Sequence, residues 1–451
     1  MKNFLDTLSQ WIIAVSDAVC GYPEFALLIG GGLFLFCYSG AISLRKFPAA
    51  LRALRQKQAA DTDKGEISSL QALFSAIAAT VGMGNIAGVA IAVSIGGPGV
   101  IFWMWVSAIV GMTTKFFEGT LSIMYKGKDR DGNVQGGPMY IITEGLGRRW
   151  KPLATAFAVF GLVGTLCFTQ ANQLVESVTT VFSVPGTLPW RAAMGVAMML
   201  VVGMVILGGI TRIARLASRV VPVMVILYLI LVTVVMVIYY DRLPGVFAAI
   251  VGGAFNFEAG FGAFALIALT GARRAALVNE AGVGTASMMH GASHNTVPVR
   301  EGLIAMIEPL IDSGIVCTLT SIPIIMAIDG IEVDGVKGLY IALNSFAALL
   351  PGVGQYLLMV IVFFFAFSTM FSYSYYGQKC TNYLFGSSKI KFYNYYYLIM
   401  IVVAAMIPLD TMVGIMDLAF ALMALCTMTA IIALRRPVME QVREYFARDT
   451  K

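Results

Sequence analysis

Between Thr80 and Trp105 the chain reads TVGMGNIAGVAIAVSIGGPGVIFWMW. This stretch is apolar enough to sit in lipid, yet it carries Gly82, Gly84, Gly88 and Gly96 and one asparagine, Asn85. Lipid offers no hydrogen-bond partner, so a crossing backbone must satisfy its own N–H and C=O groups, usually as helix. Glycines clustered about Asn85 predict a helix interrupted near its middle. Interrupted backbone at membrane depth is tolerated where it lines a cavity or is buried in protein, and discontinuous helices are where carriers hold solute and ion.

The rest of the chain supports a membrane setting. Of 451 residues, 58% are hydrophobic and 12% charged, and the mean hydropathy is +0.81. Soluble domains carry roughly 25% charged residues, so lipid is the expected solvent. The net charge of +6 falls in short loops and reads as topology; no nucleic-acid partner is expected. The six cysteines (Cys20, Cys37, Cys167, Cys317, Cys380, Cys426) lack metal-ligand or paired spacing and read mostly as small buried hydrophobes. Asp6 and Asp17 interrupt the first apolar run, and no Ala-x-Ala site follows, so a signal peptide is not expected.

A membrane helix needs about 20 mostly apolar residues. Eleven such spans are predicted, near 22–44, 68–95, 99–125, 153–182, 189–209, 217–240, 245–271, 302–328, 353–378, 393–408 and 411–434. Residues 1–20 place Leu5, Leu8, Trp11, Ile12 and Val15 at helical spacing, which predicts a short surface helix. Every second loop is basic: Arg45 to Lys64, Lys126 to Lys151, Arg212 to Arg219, Arg273 to Arg300, Lys379 to Lys391, then Arg435 and Arg436. Lys and Arg favour the cytoplasmic side. The N-terminus is therefore expected outside and the C-terminus inside.

Without the first span, ten remain, and ten divides into two fives of opposite orientation. The expected organisation is residues 1–65 as surface helix, first span and basic loop, 66–240 and 241–437 as two five-helix repeats, and 438–451 as a cytoplasmic tail. Each repeat should open on a broken helix. In the second repeat the expected break lies near Phe255–Gly262, in GGAFNFEAGFGAFALIALTG, which holds Asn256 and Glu258. A glycine-rich membrane helix taken alone is more often a packing face; two at matching places favour breaks. The alternative break is Asn279–Gly284 (NEAGVG). Arg273 and Arg274 argue against it, since they would then lie deep in lipid, and NEAGVGTASMMHG is expected as a cytoplasmic or re-entrant segment near the inner gate.

GMGNIAG, GGPGVIFWMWVSAIVG (Gly96–Gly111), GGPMY (Gly136–Tyr140) and NEAGVG together resemble the alanine/glycine:cation symporter family of prokaryotes, over about Ser68 to Arg436. The resemblance implies an all-α integral membrane protein of the prokaryotic plasma (inner) membrane. It implies the leucine-transporter-type five-plus-five inverted repeat with one extra N-terminal helix. It also implies import of a small neutral amino acid driven by sodium, or by protons in some members, with no other cofactor.

An amino-acid zwitterion needs donors for its carboxylate, acceptors for its ammonium and a wall for its side chain. Backbone N–H groups of Met83, Gly84 and Asn85, freed by the first break at a half-helix N-terminus, are candidate carboxylate donors. For the ammonium the candidates are the Gln170 side-chain carbonyl and carbonyls freed by the second break. Gln170 could equally bond between helices, and Thr169–Gln173 supplies rivals. The pocket wall would come from Phe264 and Tyr373, with Thr369 nearby. The family typically has Thr at the place of Met83 and Trp at that of Tyr373, so a larger or more polar solute such as glutamine or serine stays open beside alanine and glycine. The resemblance implies a sodium site from the Ala78 and Val81 carbonyls, the Phe365 carbonyl and the Ser368 and Thr369 hydroxyls. The bland reading of both hydroxyls is bonding back to their own helix.

Intramembrane ionisable residues are costly and often functional. Lys115 and Glu118, three apart, are expected to pair with each other. Glu308 and Asp312 are expected to meet Arg273 or Arg274 in a gating pair. Asp417 reads as a hydrogen-bonding group or as part of a proton path. His290 and His294 read as loop residues. A channel would need a symmetric filter, an enzyme a nucleophile–base or metal cluster at membrane depth, and a primary pump a phosphate loop; none of these patterns is visible.

Overall fold

The computed structural model describes residues 16, 18–20, 22–56, 66–255, 261–331, 338–407 and 409–448. Most of the expected surface helix over 1–20, and both Asn256 and Glu258 with most of the favoured second break, lie outside these residues. Among the described residues the fold is helical apart from a short hairpin pairing Gly127–Lys128 with Val134–Gln135 and an isolated bridge between Ile67 and Ser293.

In chain order the first helices are α1 (Ala18–Tyr38), α2 (Ser69–Thr80), α3 (Gly84–Gly96) and α4 (Val100–Met124). α5 (Arg148–Val181), α6 (Leu188–Ile206) and α7 (Gly209–Ile238) come next. Then follow α8 (Leu243–Ala254), α9 (Phe261–Asn279) and the short α10 (Thr285–Gly291). They are followed by α11 (Pro298–Gly330), α12 (Gly338–Leu349), α13 (Gly354–Phe385), α14 (Ile390–Met406), α15 (Leu409–Ala433) and α16 (Arg435–Arg448).

Among the described residues eight helices are long and apolar enough to cross a bilayer, or nine if α2 and α3, bent by 54°, form one broken span. The expected eleven is not reached by this measure. The ranges that fall short are near 245–271 and 393–408. The first is divided between α8 and α9, which carries Arg273 and Arg274, and the second is the 17-residue α14.

α4 and α11 form the buried axis. Their glycines bring the backbones together: a Cβ on Gly302 would lie 2.0 Å from the Thr120 hydroxyl, and one on Gly119 2.6 Å from the Ala305 methyl. α6 and α7 lie outside and present Leu200, Met204, Ile226, Ile230 and Val237 to the surroundings, as lipid-facing helices should. Pro222 stands inside α7 and Pro323 inside α11, a pattern membrane helices tolerate because neighbours satisfy the freed carbonyls.

Basic loops meet at one end of the bundle. Lys126 bonds the Ser293 carbonyl at 2.7 Å, Arg130 the Leu384 carbonyl at 2.8 Å and Arg300 the Gln56 carbonyl at 2.6 Å. The loops poor in Lys and Arg make their own contacts, with Phe182 against Tyr356 and the Tyr239 hydroxyl on the Leu349 carbonyl.

Candidate functional site

The first break follows from local chemistry. α2 begins with a capping box, in which Ser68 and Gln71 each satisfy the other's backbone N–H. It ends at Val81, whose backbone is extended. The Asn85 side-chain oxygen then accepts from Gly82 N at 2.9 Å, and Asn85 N donates to the Gly82 carbonyl at 3.1 Å. The chain continues through one wide turn, Gly84–Gly88, into ordinary helix. The glycines mark close approaches. A Cβ on Gly82 would lie 2.6 Å from the Thr369 hydroxyl, and one on Gly88 would fall within the Arg274 guanidinium.

A second break lies at Glu280–Gly284, between α9 and α10. Glu280, Gly282 and Gly284 have φ of 51°, 94° and 98°, the left-handed region where glycine is favoured. Gly282 N donates to Glu118 Oε1 at 2.5 Å, and the Thr427 hydroxyl caps the Val283 carbonyl at 3.0 Å. The alternative placement of the break is thus the one seen among the described residues. Arg274 does not face lipid: its Nη2 donates to the Gly84 carbonyl at 2.9 Å, and the side chain lies on Gly84 and Gly88.

A cavity of about 940 Å³ runs between the two breaks. Gly82, Met83 and Gly84 line it from the first, Arg274 and Glu280 from the second, and Gln170 and Tyr373 from α5 and α13. Toward the basic-poor end it is lined by Glu176 and Arg191, which pair at 3.6 Å. Glu280 holds the floor: its carboxylate accepts from the Tyr373 hydroxyl and, at 2.6 Å, from the Thr285 hydroxyl. Gln170 Oε1 accepts from Thr169 at 2.9 Å.

Three expected solute-site residues, Asn85, Phe264 and Thr369, do not line the cavity. Asn85 is fully buried behind the break: its backbone N–H, an expected carboxylate donor, is engaged by the Gly82 carbonyl, its side-chain amide donates to Asp312 and its oxygen closes the turn. Phe264 stacks edge-on against Trp103 at 5.6 Å and does not line the cavity. It sits near the start of α9, several turns from Glu280.

The expected sodium ligands fall close together. Thr369 Oγ1 lies 3.2 Å from the Ala78 carbonyl and 3.0 Å from the Phe365 carbonyl, and Ser368 Oγ lies 3.0 Å from the same Phe365 carbonyl. Val81 ends α2 one turn beyond Ala78. One threonine hydroxyl has one proton for two carbonyls, so this cluster is rich in lone pairs.

The expected ionic pairs rearrange. Lys115 pairs with Glu308 at 2.9 Å, not with Glu118, because its long side chain reaches across to α11. Glu118 instead accepts from Gly282 N, Asp312 from Asn85, and Arg274 bonds a carbonyl, so the expected Glu308–Asp312–arginine gate is not formed. His290 is not a loop residue. It is fully buried in α10, with Nδ1 2.6 Å from Glu301. Glu301 also accepts from Ser69 at 2.5 Å, Asn295 at 2.8 Å and Ser293 at 3.1 Å. Glu66 N and Ile67 N both donate to the Ala292 carbonyl, and His294 N to the Ile67 carbonyl. Together with Lys379, which bonds Gln135 and meets Glu66 at 3.5 Å, these contacts seal the basic end.

Sequence reasoning passed over Glu280 and Arg274 as site residues. The signal was present in NEAGVG, whose two glycines sit where the backbone turns left-handed. GGPMY also finds its reason here: a Cβ on Gly136 would lie 2.4 Å from Gly291 Cα, so α10 docks backbone to backbone on that motif.

The sodium:alanine symporter family matches the chain over residues 5–451. An uncharacterized transporter of Haemophilus influenzae is 36% identical, over 98% of this chain and 97% of that protein. A sodium/alanine symporter of Methanococcus maripaludis is 34% identical, over 96% of each. A probable sodium/glutamine symporter of Bacillus subtilis is 33% identical, over 93% of this chain and 87% of that protein.

Proposed function

The chain belongs to the sodium:alanine symporter family, a multi-pass membrane carrier family, and from that premise we propose that it imports alanine or glycine with sodium by alternating access. The architecture we infer is eleven spans in a five-plus-five inverted repeat with one extra N-terminal helix, its basic end in the cytoplasm. The cavity then faces outward in the conformation described here.

One observation carries this reading: both helix breaks open onto a single cavity that is sealed at its basic end. Carboxylate donors come from the backbone at Met83 and Gly84, at the positive end of α3. The ammonium meets Gln170 and the Glu280 carboxylate, and Tyr373 limits the side chain. Sodium sits among the Ala78, Val81 and Phe365 carbonyls and the Ser368 and Thr369 hydroxyls, hard oxygens that suit a hard cation. Its charge would draw α2 toward α13 and so link ion binding to the first break.

Glutamine is the second reading, favoured by the cavity's size and by Tyr373 in place of a larger indole. Proteoliposomes with an imposed sodium gradient test both. Concentrative alanine uptake, lost in Thr369→Val and weakened about tenfold in Gln170→Ala, is expected. Downhill flux without concentration would overturn symport, and stronger competition by glutamine than by glycine would select the second reading.

A further inference from the structure

The centre of the molecule holds more acid than the proposed symport uses. Lys115 and Glu118 on α4 and Glu308 and Asp312 on α11 are all fully buried. Lys115 bonds one oxygen of Glu308. Each carboxyl group has one oxygen engaged, and the second oxygens, Glu118 Oε2, Glu308 Oε2 and Asp312 Oδ2, are buried without a hydrogen-bond partner. Three acids thus share one lysine.

Other titratable and charged groups act on the set from each neighbouring element: Glu280 from the second break, His290 from α10, Tyr376 from α13 and Cys317 from α11 itself, while Arg274 of α9 acts on Cys317. Arg274 is already held at the Gly84 carbonyl and His290 at Glu301, while Glu280 adds a fourth acid. An uncompensated buried carboxylate is costly and is relieved most readily by taking up a proton.

We propose that Glu118, Glu308 and Asp312, gathered about Lys115, form a proton-binding site that loads and unloads as the two helix breaks rearrange. The set reaches both breaks directly. Asp312 holds Asn85, which holds Gly82 N in the first; Glu118 holds Gly282 N in the second. A proton from hydronium forms an O–H bond on a free carboxylate oxygen and leaves water behind; the reverse step returns it to water. A neutral carboxyl accepts from an N–H more weakly than a carboxylate does, so protonation loosens the grip on a break, and moving a break changes the hold on the proton. Glu280 stands in the cavity wall between the set and solvent.

The test uses the full-length protein in detergent, nearly unbuffered, with a pH indicator. Sodium chloride is added against a potassium chloride control, then L-alanine, then L-glutamine, at pH about 6, 7 and 8. Proton uptake or release of a sizeable fraction per protein is expected at one or more of these, with sodium or solute affinity changing by up to about tenfold per pH unit. Glu118→Gln and Asp312→Asn keep the shape and an acceptor for Gly282 and Asn85; at least one should reduce the exchange more than about threefold. No exchange in wild-type protein in any arm, or unchanged exchange in both variants, overturns the proposal. Sodium-driven uptake without proton exchange would remove this site and leave symport standing; proton exchange without sodium-driven uptake would do the reverse.

Discussion

The two helix breaks meet the same requirement with different backbones. The first, at Val81–Gly84, uses no left-handed residue. It is closed from within by Asn85, and its glycines serve close approach, to Thr369 and to Arg274. The second, at Glu280–Gly284, is built on three left-handed residues; Asn279 Oδ1 accepts from Ala281 N at its start, and Glu118 and Thr427, on two other helices, hold its glycine end. An interruption stabilised by its own side chain can change shape when something binds beside it. One pinned by two neighbouring helices moves only when they do. The first break is thus suited to sensing the ion, and the second to passing that motion to the bundle.

Substitutions can break or sharpen this contrast. The largest effect is expected from Thr369→Val, which keeps volume but removes the hydroxyl between the Ala78 and Phe365 carbonyls. Sodium affinity measured by flux should fall about thirty- to a hundredfold, roughly the loss of one charge-assisted contact of about 2–3 kcal/mol. Gly282→Ala forces a left-handed alanine against Met428 and should lower stability by about 1–3 kcal/mol, read as a drop in the thermal midpoint of the purified protein. Gly88→Ala displaces the mobile end of Arg274, so the fold should survive while uptake falls about tenfold, the cost of about one hydrogen bond. Combining it with Arg274→Lys should add little. Gly84→Ala meets nothing closer than 3.7 Å and has no left-handed angle. It should change uptake less than about twofold; equal damage at Gly84 and Gly282 would erase the distinction.

The first break was legible because its signal is local. Glycines and an asparagine inside an apolar run have few other uses, and the motif spacing carries straight to the cavity wall at Met83 and Gly84. The second was harder because the argument against it was itself sound: two arginines should not enter lipid. What resolves it is a long-range contact, Arg274 reaching the Gly84 carbonyl some 190 residues away, and no local pattern encodes that. The same cause explains Lys115. Helical spacing offered Glu118 as its neighbour, but a flexible side chain chose a partner on another helix. Phe264 failed for a related reason, since its place on the helix could be counted only once the break was known.

The Glu301 carboxylate gathers Ser69, at the foot of the first broken helix, with His290 and Ser293, at the foot of the second. A concentrating carrier must insulate one solution from the other, because any ion that slips past unaccompanied dissipates the gradient it runs on. Fastening both feet to a single acid couples their release: neither arm swings while the other stays tied, and the basic end cannot stand ajar on one hinge.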